Sequence, residues 1–218
     1  AVCLTDGYIG FGSEVIEIPK MAELPTITPR KAKPRKDGEG KFMPYERDPE
    51  TLAREWAVPG TEGLRHRIGG LEKSNVYGEV TTDPLNHELM VKLRAEKVER
   101  IANRLPLQDF TGPADADLLV VSWGGTKGQV QGAVEEARAQ GMKIAHAHFR
   151  YINPLPRNTR EMLASFKKIV VCELSMGQFA SYLRINFPEI PYLQYNKVQG
   201  QPFTAHELVE NFSQILKA

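Results

Sequence analysis

The chain has 218 residues, 41% of them apolar and 25% charged, with a formal net charge of +1. That balance fits a water-exposed globular protein and gives no whole-chain attraction to nucleic acid or acidic membranes. No apolar run is long enough to cross a bilayer, and no signal peptide is visible, so a cytoplasmic setting is expected.

The chain opens at Ala1, with no Met, inside an apolar run over residues 1–4 that reads as a strand, and it is read as a fragment or a processed chain. A turn at Asp6-Gly7 and a Gly-spotted segment ending in VIEIP complete residues 1–19, expected to be the end of a preceding domain. The glycines at 7, 10 and 12 lack the order of a dinucleotide fingerprint. Cys3 and Cys172 both sit in apolar, strand-like runs. A reducing compartment suits them better than a disulfide, and two thiols cannot hold an iron–sulfur cluster.

Residues 20–82 read as an extended arm. Prolines at 25, 29, 34, 44, 49 and 59 remove backbone donors and disfavour helix. Within the arm, residues 30–36 carry five basic side chains in seven, read as a solvated loop or a strip facing an acidic partner rather than a nucleic-acid patch, since no aromatic interleaves for base stacking. Residues 36–41 are a turn signal. Spaced aromatics at Phe42, Tyr45 and Trp56 suit docking onto another surface.

Asp83 as N-cap and Pro84 at the first helical position open a helix to about residue 104, ended by Leu105-Pro106. Lys92 with Glu96, and Glu96 with Arg100, are spaced for i,i+4 pairing. Residues 83–114 are therefore taken as helix and linker.

From residue 115 to 218 the pattern is that of an α/β domain. Residues 117–123 are near-continuously apolar, as expected of a parallel strand buried on both faces. A helix follows, with Val130, Ala133, Val134 and Ala137 inward and Gly141 ending it. Strand 143–149, helix 159–166 and strand 168–173 come next. A helix from 176 to 184, entered through Ser175 or Gly177, a strand at 191–195 and a last helix behind the capping box Thr204-Ala-His-Glu207 complete the chain. This β-α-β-α-β order predicts a parallel sheet covered by helices in three layers.

Two groups are candidate anion sites. Gly124, Gly125, Thr126 and Lys127 join a strand end to a helix start, where backbone donors and the helix dipole favour negative charge. Glycines there also serve close helix–strand packing, and the spacing is not that of a Walker loop. Arg65, His66 and Arg67 suit a carboxylate or phosphate, or a surface salt-bridge cluster. His146 and His148 share one strand face and are read as a half-buried hydrogen-bonded pair. No catalytic residue and no metal ligand is assigned.

Whole segments resemble one family. LTDGYIGFGSEVIEIP, FMPYERDPETLAREWAVPG, HRIGGLEKSNVYGEVTTDPLNHELMVKLRAEKVERIA, DLLVVSWGGTKGQVQGAVEEARAQGMKIAHAHFRYINPLP, CELSMGQFASYLR and the final GQPF are similar, in order, to the C-terminal part of the alpha subunit of 2-oxoacid:ferredoxin oxidoreductases, the 2-oxoglutarate type in particular. Lys73 stands where the family usually has His in its Gly-Leu-Glu-His motif.

The resemblance implies a transketolase C-terminal-like fold for residues 115–218. It implies a holoenzyme using thiamine diphosphate, Mg and an iron–sulfur cluster held in partner regions, with coenzyme A as acyl acceptor. The implied partners are a beta subunit, a gamma subunit in some members, and ferredoxin, with no nucleic acid and no membrane. This chain lacks a Gly-Asp-Gly diphosphate motif and clustered cysteines, so it is expected to bind none of these cofactors by itself, to be inactive alone and to serve assembly. The alternative is a small-molecule module holding a coenzyme A or nucleotide phosphate at Gly124-Gly125.

Overall fold

The computed structural model describes residues 2–5, 7–13, 15–34 and 41–218. It divides into two compact units, Ala1–Val15 with Leu105–Ala218, and Ile16–Arg104.

The first unit is built on four parallel strands, β1 (Leu118–Trp123), β2 (Ile144–Phe149), β3 (Ile169–Glu173) and β4 (Leu193–Asn196), in the order β2-β1-β3-β4. β1 lies inside the sheet, with Val120 opposite His146 on one side and Val170 on the other. Every residue from Leu118 to Val121 is fully buried, which explains why the strand is apolar on both faces.

Alternation sends successive side chains to opposite sides. Leu118 and Val120 pack with Val130, Val134, Leu208 and Phe212, so helices α3 (Lys127–Ala139) and α6 (Ala205–Lys217) cover one face. Leu119 and Val121 pack with Leu163, Phe179 and Leu183, so α4 (Thr159–Ala164) and α5 (Gln178–Asn186) cover the other. The three-layer parallel architecture expected from the pattern is the observed one.

Local signals set the helix ends. Gly141, at φ +86°, closes α3, its N–H donating to the Arg138 carbonyl while the Met142 N–H reaches that of Ala137. The Thr204 hydroxyl accepts from the Glu207 N–H and the Glu207 carboxylate from the Thr204 N–H, the reciprocal box expected there. Strand limits shift by one or two residues, the last running over 193–196 rather than 191–195.

The edges differ. The outer edge of β2 is closed by the linker, Thr111 and His146 exchanging backbone bonds of 2.8 and 2.9 Å. Gln108 and Asn158 bond reciprocally at 2.8 Å. Residues 105–114 therefore belong with the sheet. The start of the chain is not a strand over residues 2–5, and Gly7–Gly10 instead forms a helical turn, α1. Cys3 is exposed there rather than strand-packed, and Cys172 is buried in β3. The Asp6 half of the expected turn lies outside the described residues.

The second unit is mostly extended. Its long helix is α2 (Pro84–Glu99), continued by a 3-10 turn over Arg100–Arg104. Asp83 caps it by accepting the Leu85 N–H at 3.0 Å. Met90 is buried on this helix, with Ala32, Leu52 and Leu64 elsewhere in the unit. Glu96 pairs with Arg100 as spaced, but Lys92 pairs with Glu88 instead, the preferred order of acid before base along a helix. Residues 61–83 carry an isolated antiparallel bridge, Lys73 with Val80. Of the basic run, Arg30 pairs with Asp48 at 2.5 Å, while Arg35 and Lys36 lie outside the described residues, as does the turn signal over 36–41 except for Lys41.

Candidate functional site

In an open parallel sheet, ligands favour the carboxyl ends of the strands where the winding direction reverses. Here the chain runs from β1 to β2 on one side, then returns past β1 to β3, so the reversal lies between Trp123 and Glu173. The Gly124–Thr126 turn leads from that point into α3. Gly124 sits at φ +57° and a Cβ would meet nothing within 4 Å, so conformation rather than space selects glycine. The Thr126 hydroxyl is turned inward, donating to the Trp123 carbonyl at 2.8 Å.

Glu173, fully buried, already fills the crevice with a carboxylate. It accepts the Phe179 and Ala180 N–H groups at 2.9 Å, the Ser175 hydroxyl at 3.0 Å and the Trp123 indole N–H at 3.2 Å. The first-turn amides of α5, where an anion would otherwise bind, are thus satisfied from within. Gly177, at φ +87°, allows the chain to turn back so that they point at Glu173.

A second arrangement lies on the α3 side. The Ser122 hydroxyl bonds His146 Nε2 at 2.7 Å and His148 Nδ1 at 2.8 Å. One hydroxyl has one proton, so it donates to one ring and accepts from the other. The two histidines are thus joined through Ser122, not to each other. Burial is the main cause that pushes both down to about 4, reinforced for His146 by His148 and Arg138 and for His148 by Lys127 and Arg150. They are neutral near pH 7. With Lys127, Gln131 and Arg150 they line a cleft of about 370 Å³.

Of the four predicted turn residues, Lys127 alone lines this cleft, while Gly124, Gly125 and Thr126 do not. Arg65, His66 and Arg67 belong to the other unit. There His66 Nδ1 meets the Leu64 carbonyl at 2.8 Å and its ring packs edge-on to Phe42 at 5.2 Å. Lys73 is buried, its ammonium donating to the Gly69 (2.9 Å) and Leu71 carbonyls. Sequence reasoning missed Ser122 and Glu173. Each is the lone polar residue near the end of an apolar strand, LLVVSW and IVVCE, and that was the available signal.

Residues 116–208 match the family described as pyruvate:ferredoxin oxidoreductase core domain II. The chain is 46% identical over 208 residues to the 2-oxoglutarate oxidoreductase subunit KorA of Mycobacterium tuberculosis, covering 95% of this chain and 31% of that protein. It is 30% identical over 186 residues to the alpha subunit of 2-oxoacid:ferredoxin oxidoreductase 1 of Aeropyrum pernix, covering 82% of this chain and 28% of that one. Among solved structures it matches the 2-oxoglutarate:ferredoxin oxidoreductase of Magnetococcus marinus, bound to 2-oxoglutarate, coenzyme A and succinyl-CoA, with TM-score 0.80 and 26% identity over 92% of this chain and 34% of that one. The chain thus spans about a third of the length of these relatives.

Proposed function

The chain belongs to the alpha-subunit family of the 2-oxoacid:ferredoxin oxidoreductases, and we propose that it is the structural and assembly part of an enzyme that converts 2-oxoglutarate and coenzyme A to succinyl-CoA and CO2 while reducing ferredoxin. The observation that carries this reading is the 46% identity along nearly the whole chain to a 2-oxoglutarate oxidoreductase subunit. The TM-score of 0.80 to an enzyme with that substrate and product bound supports it.

The proposed holoenzyme draws on thiamine diphosphate and Mg for decarboxylation and on an iron–sulfur cluster for electron transfer. The residues present here do not fit those groups. Cys3 and Cys172 are one exposed and one buried thiol, not a cluster ligand set, and Glu173 already accepts four hydrogen bonds. The chemistry of those groups is therefore assigned to partner regions, not to this chain. Its contribution is a sheet with both faces covered and an extended unit suited to lie against beta-type, and in some assemblies gamma-type, partner subunits. A cytoplasmic location is part of this proposal; no helix among the described residues is long and apolar enough to cross a membrane.

The test is co-expression of the full-length protein with its neighbouring subunits, followed by viologen reduction with 2-oxoglutarate and coenzyme A. Reduction that needs both, and is lost with assembly when residues 105–218 are deleted, is expected. An assembled enzyme that reduces viologen with no 2-oxo acid overturns the reading.

A second reading is a coenzyme A or nucleotide phosphate at the Gly124-Gly125 turn; of the turn residues Lys127 alone favours it, lining one cleft with Arg150. A raised KM for coenzyme A in the Lys127→Ala enzyme, with kcat retained, would support it.

A further inference from the structure

Close ion pairs among the described residues of the second unit include Arg30 with Asp48, Lys41 with Glu79, Lys92 with Glu88 and Arg100 with Glu96. Arg47, Arg54, Arg94 and Lys97, like most of the described cations of this unit, form no ion pair with a described carboxylate, but they converge. All four line one cleft of about 630 Å³, together with Tyr45.

Their placement is costly without a counter-charge. Arg47 and Arg54 are direct partners in an antiparallel bridge, where like charges repel. Their guanidinium carbons lie 5.8 and 4.3 Å from the centre of the single Tyr45 ring. Arg94 and Lys97 stand three apart on α2, on one helix face, where like charges again disfavour the helix. Glu72 and Lys73 also line the cleft; Glu72 is hydrogen-bonded to His87 Nδ1 at 2.8 Å and the Lys73 ammonium to the Gly69 and Leu71 carbonyls. Arg47 is held in place by the Tyr45 carbonyl, Asn75 Oδ1 and Met90 Sδ. Burial and the neighbouring Arg54 and Arg94 pull its proton affinity below the usual arginine range.

Two like-charge pairs from different elements, aimed into one cleft of ligand size, are stabilised together by an anion with two or more charged groups. We propose that this cleft binds a small phosphate-bearing polyanion, with the forks of Arg54 and Arg94 gripping separate oxygens and Lys97 adding a point charge. Tyr45 and the fixed Arg47 form the floor. The site is distinct from the Gly124–Lys127 turn, which lies in the other unit.

The probe is inorganic pyrophosphate, titrated calorimetrically into the assembled full-length protein at low salt. Saturable binding is expected, weakening as salt rises. Arg54→Gln and Arg94→Gln are each expected to weaken it about five- to tenfold, the scale of a partly exposed charge-assisted bond. Both side chains are exposed, so folding is not at issue, and Lys92→Gln on the same helix serves as the unaffected control. Three results overturn the proposal: no saturation at about 10 mM pyrophosphate, affinity unchanged in both arginine variants, or citrate binding as well as pyrophosphate. So does binding by this chain alone that disappears in the assembled protein, which would assign the cleft to acidic side chains of a partner.

Discussion

The Trp123 indole N–H donates to the Glu173 carboxylate at 3.2 Å, tying the carboxyl end of β1 to that of β3. The same carboxylate caps α5. One buried acid thus fixes two strand ends and a helix start at the point where a ligand would otherwise enter.

Replacing Glu173 leaves two buried backbone N–H groups without an acceptor. Glu173→Ala is expected to destabilise the protein by about 3 kcal/mol, read as a lowered urea midpoint at constant slope. Glu173→Gln keeps one acceptor oxygen, so its loss should be roughly half as large. Equal stability of Glu173→Ala and the parent would show that the clamp contributes nothing.

The histidine cluster makes stability pH-dependent. His146 and His148 titrate near 4 in the folded protein and near 6.5 when unfolded. Between those values the unfolded chain binds protons that the folded one does not. Stability is full above about pH 6.5 and falls as pH drops toward 4. Urea midpoints measured from pH 7.5 to 4 should show that decline, and His146→Asn with His148→Asn should flatten it. A parent midpoint constant across that window would contradict the burial of His146 and the partial burial of His148.

Ser122→Ala removes the hydroxyl shared by both rings. With one buried imidazole nitrogen on each His losing its partner, about 1–3 kcal/mol should be lost. The Ser122→Thr side chain keeps the hydroxyl but adds a methyl group in a fully buried position, so it rescues little. Thermal unfolding of the three proteins decides this.

Two glycines separate strain from space. Gly112, at φ +104°, lies where a Cβ would stand 2.9 Å from the Ile144 carbonyl oxygen, at the edge that Thr111 closes. Gly124, at φ +57°, has open space around its would-be Cβ. Gly124→Ala should cost about 1 kcal/mol, the ordinary left-handed penalty, and Gly112→Ala distinctly more, with faster amide exchange along β2. Equal effects would mean that the linker does not depend on that close approach.

Several features were legible because their causes are local. The apolar run 118–121 announced a strand covered on both faces, Gly141 announced a helix end, and Thr204 with Glu207 announced a cap. The ordered segments from residue 4 to 203 announced the family. The apolar run misled over residues 2–4, because a strand needs a neighbour to accept its hydrogen bonds and these residues have none among the described ones.

Chain order and side-chain periodicity by themselves determined the elements, their order and the two buried faces, since these depend on neighbours within a few residues. Only the tertiary structure decided that Ser122 would join two histidines 24 and 26 residues away and that Glu173 would meet an indole 50 residues earlier. Those contacts form when strands align in register and loops close, and no local spacing encodes where a distant side chain will arrive.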